Sequence, residues 1–169
     1  MSEELLINKD LSDKEKYEYL LGGVESLLSP DDMLISSLSN FTSILKQTFD
    51  KISWVGFYLN KNGVLQLGPF QGKLACTKIE VGRGVCGKSA QERKTVIVPD
   101  VNQFPGHIAC ETGARSAIVC PIVVDDKLFG VLDLDSHEYN SFNETDAFFL
   151  ENLINILIKK LDLEHFQFN

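Results

Sequence analysis

Residues 117–136, AIVCPIVVDDKLFGVLDLDS, decide the fold. Two apolar runs, 117–124 and 128–136, flank the polar joint Asp125-Asp126-Lys127. A joint that short can only reverse the chain, so the runs pair as an antiparallel hairpin. Asp133 and Asp135 interrupt the second run two positions apart. Side chains repeat every two residues along a strand, so both carboxylates share one face.

Working outward, ISWVGFYL (52–59) and GVLQLGPF (63–70) flank NKNG (60–63), a second hairpin signal. After the 117–136 hairpin, SFNETDAFFLENLINILIKKL (141–161) predicts a helix capped by Asn143 or Ser141, with acids in its first turn. Ahead of the first hairpin, Tyr17, Leu20, Leu21, Val24 and Leu27 or Leu28 recur at helical spacing. They predict a helix from Lys14 to about Leu28, weakened by Gly22 and Gly23. SPDD then reads as a second helix start, with Ser29 as cap and Pro30 first, running to about Phe49. Between the hairpins lie a short strand at 78–81, a glycine-led turn opening a short helix at 82–93, a strand at 95–99 and a long connection at 100–116. This order predicts one α+β domain of 169 residues: a central antiparallel sheet, helices on one face, and loops roofing a pocket on the other.

The net charge is −8, the sequence pI about 4.8, and no basic stripe offers a phosphate backbone a footing. Nucleic acid is therefore not an expected partner. The longest apolar runs are too short to span a bilayer. The first residues, MSEELLINKDLSDKEK, mix acids and bases and do not read as a secretory signal. The expected compartment is the cytoplasm, where thiols stay reduced, so the four cysteines are not a structural disulfide framework.

Cys120 lies within an apolar strand and reads as core. Cys86 opens the short helix. Exposed amides there would lower its pKa, or it is a small residue facing the core. Both readings stand open. Cys76 and Cys110 lie in loops without apolar periodicity, where packing does not explain a cysteine. A zinc site could draw on His107 and these thiols. Nine residues separate Cys76 from Cys86, however, and twenty-three separate Cys86 from Cys110, unlike the tight knuckles of structural zinc. No metal is therefore expected, and His107 reads as a loop histidine. A redox site needs an attacking thiolate, a second thiol and an acid. Asp133 and Asp135 are the candidate acids, because paired, buried carboxylates raise one another's pKa. Trp54, the single tryptophan, shares a strand face with Gly56 and Tyr58 and either packs on the sheet or walls a ligand.

The blocks WVGFYL, LGPFQGKLACTKIEVGRGVCGKSA, VIVPDVNQFPGHIACETGARSAIVCP and GVLDLDS resemble the free methionine-(R)-sulfoxide reductases, single-domain enzymes of the GAF fold, over about residues 15–160. The resemblance implies an oxidoreductase that reduces free methionine (R)-sulfoxide, needs no cofactor and is recycled by thioredoxin. It implies that Cys110 is the nucleophile, Cys76 the principal resolving thiol and Cys86 a further recycling cysteine. It implies that Trp54 and Tyr58 form an aromatic pocket, Asp133 and Asp135 are paired acids with Asp135 the proton donor or ammonium anchor, and the amides near Ile108 and Ala109 hold a carboxylate. The family usually has a glutamate where this chain has Ala117, which predicts a weaker proton donor and slower reduction. The alternatives are a non-catalytic GAF sensor of a small molecule and a thiol redox switch. The amino-terminal helix either mediates a homodimer or caps the sheet.

Overall fold

The computed structural model describes residues 8–108, 110 and 113–163. Six strands form one sheet: β1 (Trp54–Lys61), β2 (Val64–Gln71), β3 (Lys78–Glu80), β4 (Val96–Val98), β5 (Ser116–Val124) and β6 (Lys127–Ser136). Their order across the sheet is β3-β2-β1-β6-β5-β4, with every neighbouring pair antiparallel. Each predicted hairpin is present. Asp125 (φ 44°) and Asp126 (φ 61°) both adopt the left-handed conformation that a two-residue turn between right-twisting strands requires. The two hairpins meet through β1 and β6, and that seam aligns Gly56 with Asp133 and Trp54 with Asp135.

The alternation of the strands creates two cores. Val55, Phe57 and Leu59 of β1, Ile118, Cys120 and Ile122 of β5, and Leu132 and Leu134 of β6 face one way. They meet α1 (Asp13–Leu27), α2 (Leu34–Thr48) and α4 (Glu144–Lys160). Trp54, Tyr58, Ala117, Val119 and Val131 face the other way and meet α3 (Gly84–Glu92), β3 and the long loops. Three helices thus cover one face, and the loops share the other with short α3.

Local chemistry sets the helix ends. Ser12 and Glu15 form a reciprocal capping box on α1, and Asn143 and Asp146 do the same on α4. The predicted start of α2 is corrected. Ser29 Oγ accepts from the Asp31 amide at 3.3 Å and the Ser29 carbonyl from the Asp32 amide at 3.2 Å, which closes a local turn. The helix begins only at Leu34, where Leu38, Phe41 and Leu45 can reach the core, and Met33 stays exposed. α1 packs on α4: Tyr17 donates to Asp146 at 2.9 Å and stacks on Phe149 at 5.2 Å. Lys51 bridges Asp146 at 2.6 Å and Asp13 at 2.7 Å, tying α1 and α4 to the segment that enters β1.

Candidate active site

The site forms where three segments meet over the loop-covered face of the sheet. β6 supplies Asp133 and Asp135, both on that face. α3 supplies Cys86 from its first turn. The docking of α3 depends on Gly87, where a Cβ would sit 2.5 Å from the Glu80 carbonyl oxygen and 3.0 Å from the Gly82 nitrogen. Without a side chain there, the turn at 80–82 closes against the helix and aims Cys86 at the sheet. The long connection supplies His107, Ile108 and Cys110.

Cys86, Cys110, Ile108, Asp133 and Asp135 line one cavity of about 30 Å³. At its edge Cys110 is joined to Cys76 in a disulfide, with Cα atoms 4.9 Å apart across 34 positions of sequence. The two loop cysteines are therefore brought together. Cys86 and Cys120 are free and buried.

Of the two readings open for Cys86, a lowered pKa and a small residue facing the core, the structure favours the second. Burial first, then the charge of Asp133, holds the thiol well above the ordinary range. Its Sγ donates to Asp133 Oδ2 at 3.1 Å, with Cys86 6 % and Asp133 7 % exposed. Cys120 lies on the opposite face of the sheet, among the helix-side core, and burial pushes its pKa to about 12.

Trp54 and Tyr58 lie on the same sheet face as the acids, yet they sit behind the Cys76 loop and do not line the cavity. Their polar ends hold that loop. Trp54 Nε1 donates to the Lys73 carbonyl at 3.0 Å, and Tyr58 Oη donates to the Cys76 carbonyl at 3.0 Å. Burial, then Asp133, pushes the Tyr58 hydroxyl above the ordinary phenol range, so it remains a donor. Gly56 and Gly72 leave room for the Trp54 ring. A Cβ at either would lie 2.4 Å and 2.5 Å from ring atoms.

Ile108 packs beside Gly84 at the cavity wall. Ala109, the other expected carboxylate contact, lies outside the described residues. Sequence reasoning missed Arg83, an exposed residue on the cavity rim. Its signal was its place between two glycines immediately before α3. It also left His107 without a role. His107 lines the cavity, its Nδ1 is buried without a hydrogen-bond partner among the described residues, and burial lowers its pKa. Among the described residues no cluster of three metal-ligating side chains forms, and no helix is long and apolar enough to cross a membrane. A wider, open groove of about 720 Å³ between β4, β5 and α4 has no thiol in its lining.

The GAF domain family model matches residues 28–157. "Free methionine-R-sulfoxide reductase" of Saccharomyces cerevisiae is 41 % identical over 160 residues, covering 90 % of this chain and 89 % of the yeast protein. The chain belongs to the free methionine-R-sulfoxide reductase family of GAF domains. "GAF domain-containing protein A" of Dictyostelium discoideum is 48 % identical over 158 residues, covering 93 % of this chain and 99 % of that protein. Among solved structures, the free methionine-R-sulfoxide reductase of Neisseria meningitidis in complex with its substrate superimposes with a TM-score of 0.86 at 42 % identity. It covers 93 % of this chain and 95 % of that chain. Membership in this family accords with the α+β fold.

Proposed function

We propose that this protein reduces free methionine (R)-sulfoxide to methionine with its own thiols. The observation that carries this reading is the Cys76–Cys110 disulfide at the edge of a cavity lined by Asp133 and Asp135.

The cycle starts with both loop thiols reduced. The Cys110 thiolate attacks the sulfoxide sulfur, and Asp135 gives a proton to the departing oxygen. Methionine leaves, and Cys110 carries the oxygen as a sulfenic acid. Cys76 attacks that sulfur, water departs, and the disulfide forms. A dithiol protein of the thioredoxin class returns two electrons and two protons and restores both thiols. In sum, one sulfoxide and two thiols give one thioether, one disulfide and one water.

The small cavity belongs to the oxidised end of this cycle. Its volume of about 30 Å³ suits a water molecule, whereas ligand pockets are roughly ten times larger or more. Reduction of the disulfide frees the Cys76 and Cys110 loops to part, and substrate enters the enlarged space. A roof that closes over the ligand explains a preference for the free amino acid, since a peptide cannot thread a covered pocket.

The test is NADPH consumption with thioredoxin, thioredoxin reductase and free methionine (R)-sulfoxide. Turnover that vanishes in Cys110→Ser supports the reading. Peroxide-driven disulfide formation without sulfoxide turnover would assign the chain instead as a redox switch.

A further inference from the structure

The disulfide that ends the proposed cycle has to be opened from outside. Cys86 and Cys120, the two free thiols, are buried, whereas Cys76 and Cys110 are each half-buried. Residues 72–77 connect β2 to β3, and Lys73, Leu74, Thr77 and Lys78 around Cys76 are exposed. Leu74 is 89 % exposed, the highest value among the large apolar side chains of the described residues. A lone exposed leucine needs no explanation in general. This one stands two positions from a disulfide sulfur, on a loop whose backbone is tied to the sheet at both ends. Trp54 Nε1 donates to the Lys73 carbonyl and Tyr58 Oη to the Cys76 carbonyl, each at 3.0 Å. A loop held in this way presents Leu74 with little ordering left for a partner to impose.

The charge around Cys76 also departs from that of the chain. The protein carries −8 overall, yet no acidic residue occurs between Asp50 and Glu80, and Lys73 and Lys78 flank the cysteine. Arg83, exposed at the rim of the cavity that Cys110 lines, adds a third cation on the other side of the disulfide.

We propose that the 73–78 loop is the docking surface for the reducing protein. Leu74 enters an apolar depression beside the partner's reactive cysteine, Lys73 and Lys78 face carboxylates around it, and the partner's thiolate attacks Cys76 Sγ. That the partner is a dithiol protein rests on the reductase reading; the surface does not. The Cys76–Cys110 bond breaks, Cys110 leaves as a thiolate, and a disulfide joins Cys76 to the partner. The partner's second thiol then attacks its own bonded sulfur and releases Cys76. The partner's dithiol is thereby oxidised to a disulfide, and its two electrons and two protons end on Cys76 and Cys110. A small thiol such as glutathione has no use for an apolar contact two residues from the sulfur, so the surface favours a protein. One leucine and a few charges suit a brief encounter rather than a stable complex.

The experiment follows reduction of the preformed Cys76–Cys110 disulfide in the full chain, with thioredoxin, glutathione or dithiothreitol as reductant and no sulfoxide present. Thioredoxin should act on the parent far faster than either small thiol. Leu74→Ser should slow thioredoxin about fivefold and Leu74→Met should restore it, since truncation of an anchor at a small interface typically costs that much. Lys73→Glu combined with Lys78→Glu should slow thioredoxin about tenfold at low salt, with the gap closing as salt rises. The small thiols should reduce every variant within about twofold of the parent rate. A thioredoxin whose second cysteine is replaced by serine should be trapped on Cys76. An unchanged thioredoxin rate in Leu74→Ser overturns the proposal. Equal slowing of dithiothreitol also overturns it, because the loop itself is then disturbed, and so does a partner trapped on Cys110. Sulfoxide turnover driven by dithiothreitol is read separately. Its absence removes the reductase reading and leaves the docking result standing, whereas its presence without any preference for thioredoxin keeps that reading and removes the surface.

Discussion

Tyr58 Oη donates to the carbonyl of Cys76 at 3.0 Å, so the loop that carries this cysteine is fastened directly to β1. Trp54 fastens the same loop three residues earlier, through the Lys73 carbonyl. The two aromatic residues therefore help to set where the sulfur of Cys76, the proposed resolving thiol, sits. Tyr58→Phe removes one fastening and keeps the ring. We expect disulfide closure after a single turnover to slow several-fold in rapid-quench measurements, with a stability loss of about 1 kcal/mol. An unchanged closure rate would show that Trp54 alone suffices.

Ala117 is buried and lies directly across from Asp135 in the β5–β6 ladder. Ala117→Glu places a third carboxylate beside the proposed acid. Repulsion favours the protonated form of Asp135, so kcat near neutral pH should rise. The same repulsion should lower stability by about 1 kcal/mol in urea unfolding. Absence of a rate gain would mean that Asp133 and Asp135 suffice without a third acid.

The free thiols make alkaline stability a direct readout of burial. The pKa of Cys120 is raised from 9.0 to about 12 in the folded chain. A folded state that holds its proton more tightly is favoured fully below the unfolded value and loses that advantage as pH rises toward the folded one. Stability should therefore decline between about pH 9 and 12, at up to about 1.4 kcal/mol per pH unit for this thiol. Cys120→Ala should flatten that decline. Native oxidised protein should leave a thiol reagent unreacted at pH 8, and the denatured chain should react at Cys86 and Cys120.

The Lys51 bridge provides a control remote from the chemistry. Lys51→Met leaves Asp146, 1 % exposed, without its cation, although Tyr17 still donates to it. Loss of one partner of a buried pair typically costs about 3–5 kcal/mol. The melting temperature should fall sharply while KM for the sulfoxide stays unchanged. A parallel rise in KM would show that the helical face communicates with the cavity.

Much of this was legible in the sequence, for identifiable reasons. The alternation VLDLDS fixes the face of Asp133 and Asp135, because strand periodicity is local. Asn143 caps α4 because an amide side chain three residues before an acid satisfies the first turn from within. Other features were not. Ser29-Pro30 resembles a helix start, but Ser29 accepts from the Asp31 and Asp32 amides in a local turn, and the helix begins after it at Leu34. For Cys86 the sequence leaves a helix-lowered pKa and a core-facing residue open. Gly87 lets α3 close on the turn at 80–82 and presses that thiol against Asp133, and no local pattern encodes that docking. For Trp54 the sequence leaves sheet packing and a ligand wall open; the hydrogen bonds from Trp54 and Tyr58 to a loop some twenty residues away in sequence are contacts that no local pattern encodes.

The most direct test of the central claim is a single turnover. Fully reduced protein is mixed with a small excess of free methionine (R)-sulfoxide, quenched with an alkylating agent and mapped by peptide mass spectrometry. The account predicts one methionine released per chain, a Cys76–Cys110 disulfide, and Cys86 and Cys120 recovered as alkylated thiols after denaturation. Methionine release with Cys110 still a free thiol, or a product disulfide that excludes Cys76, would contradict it.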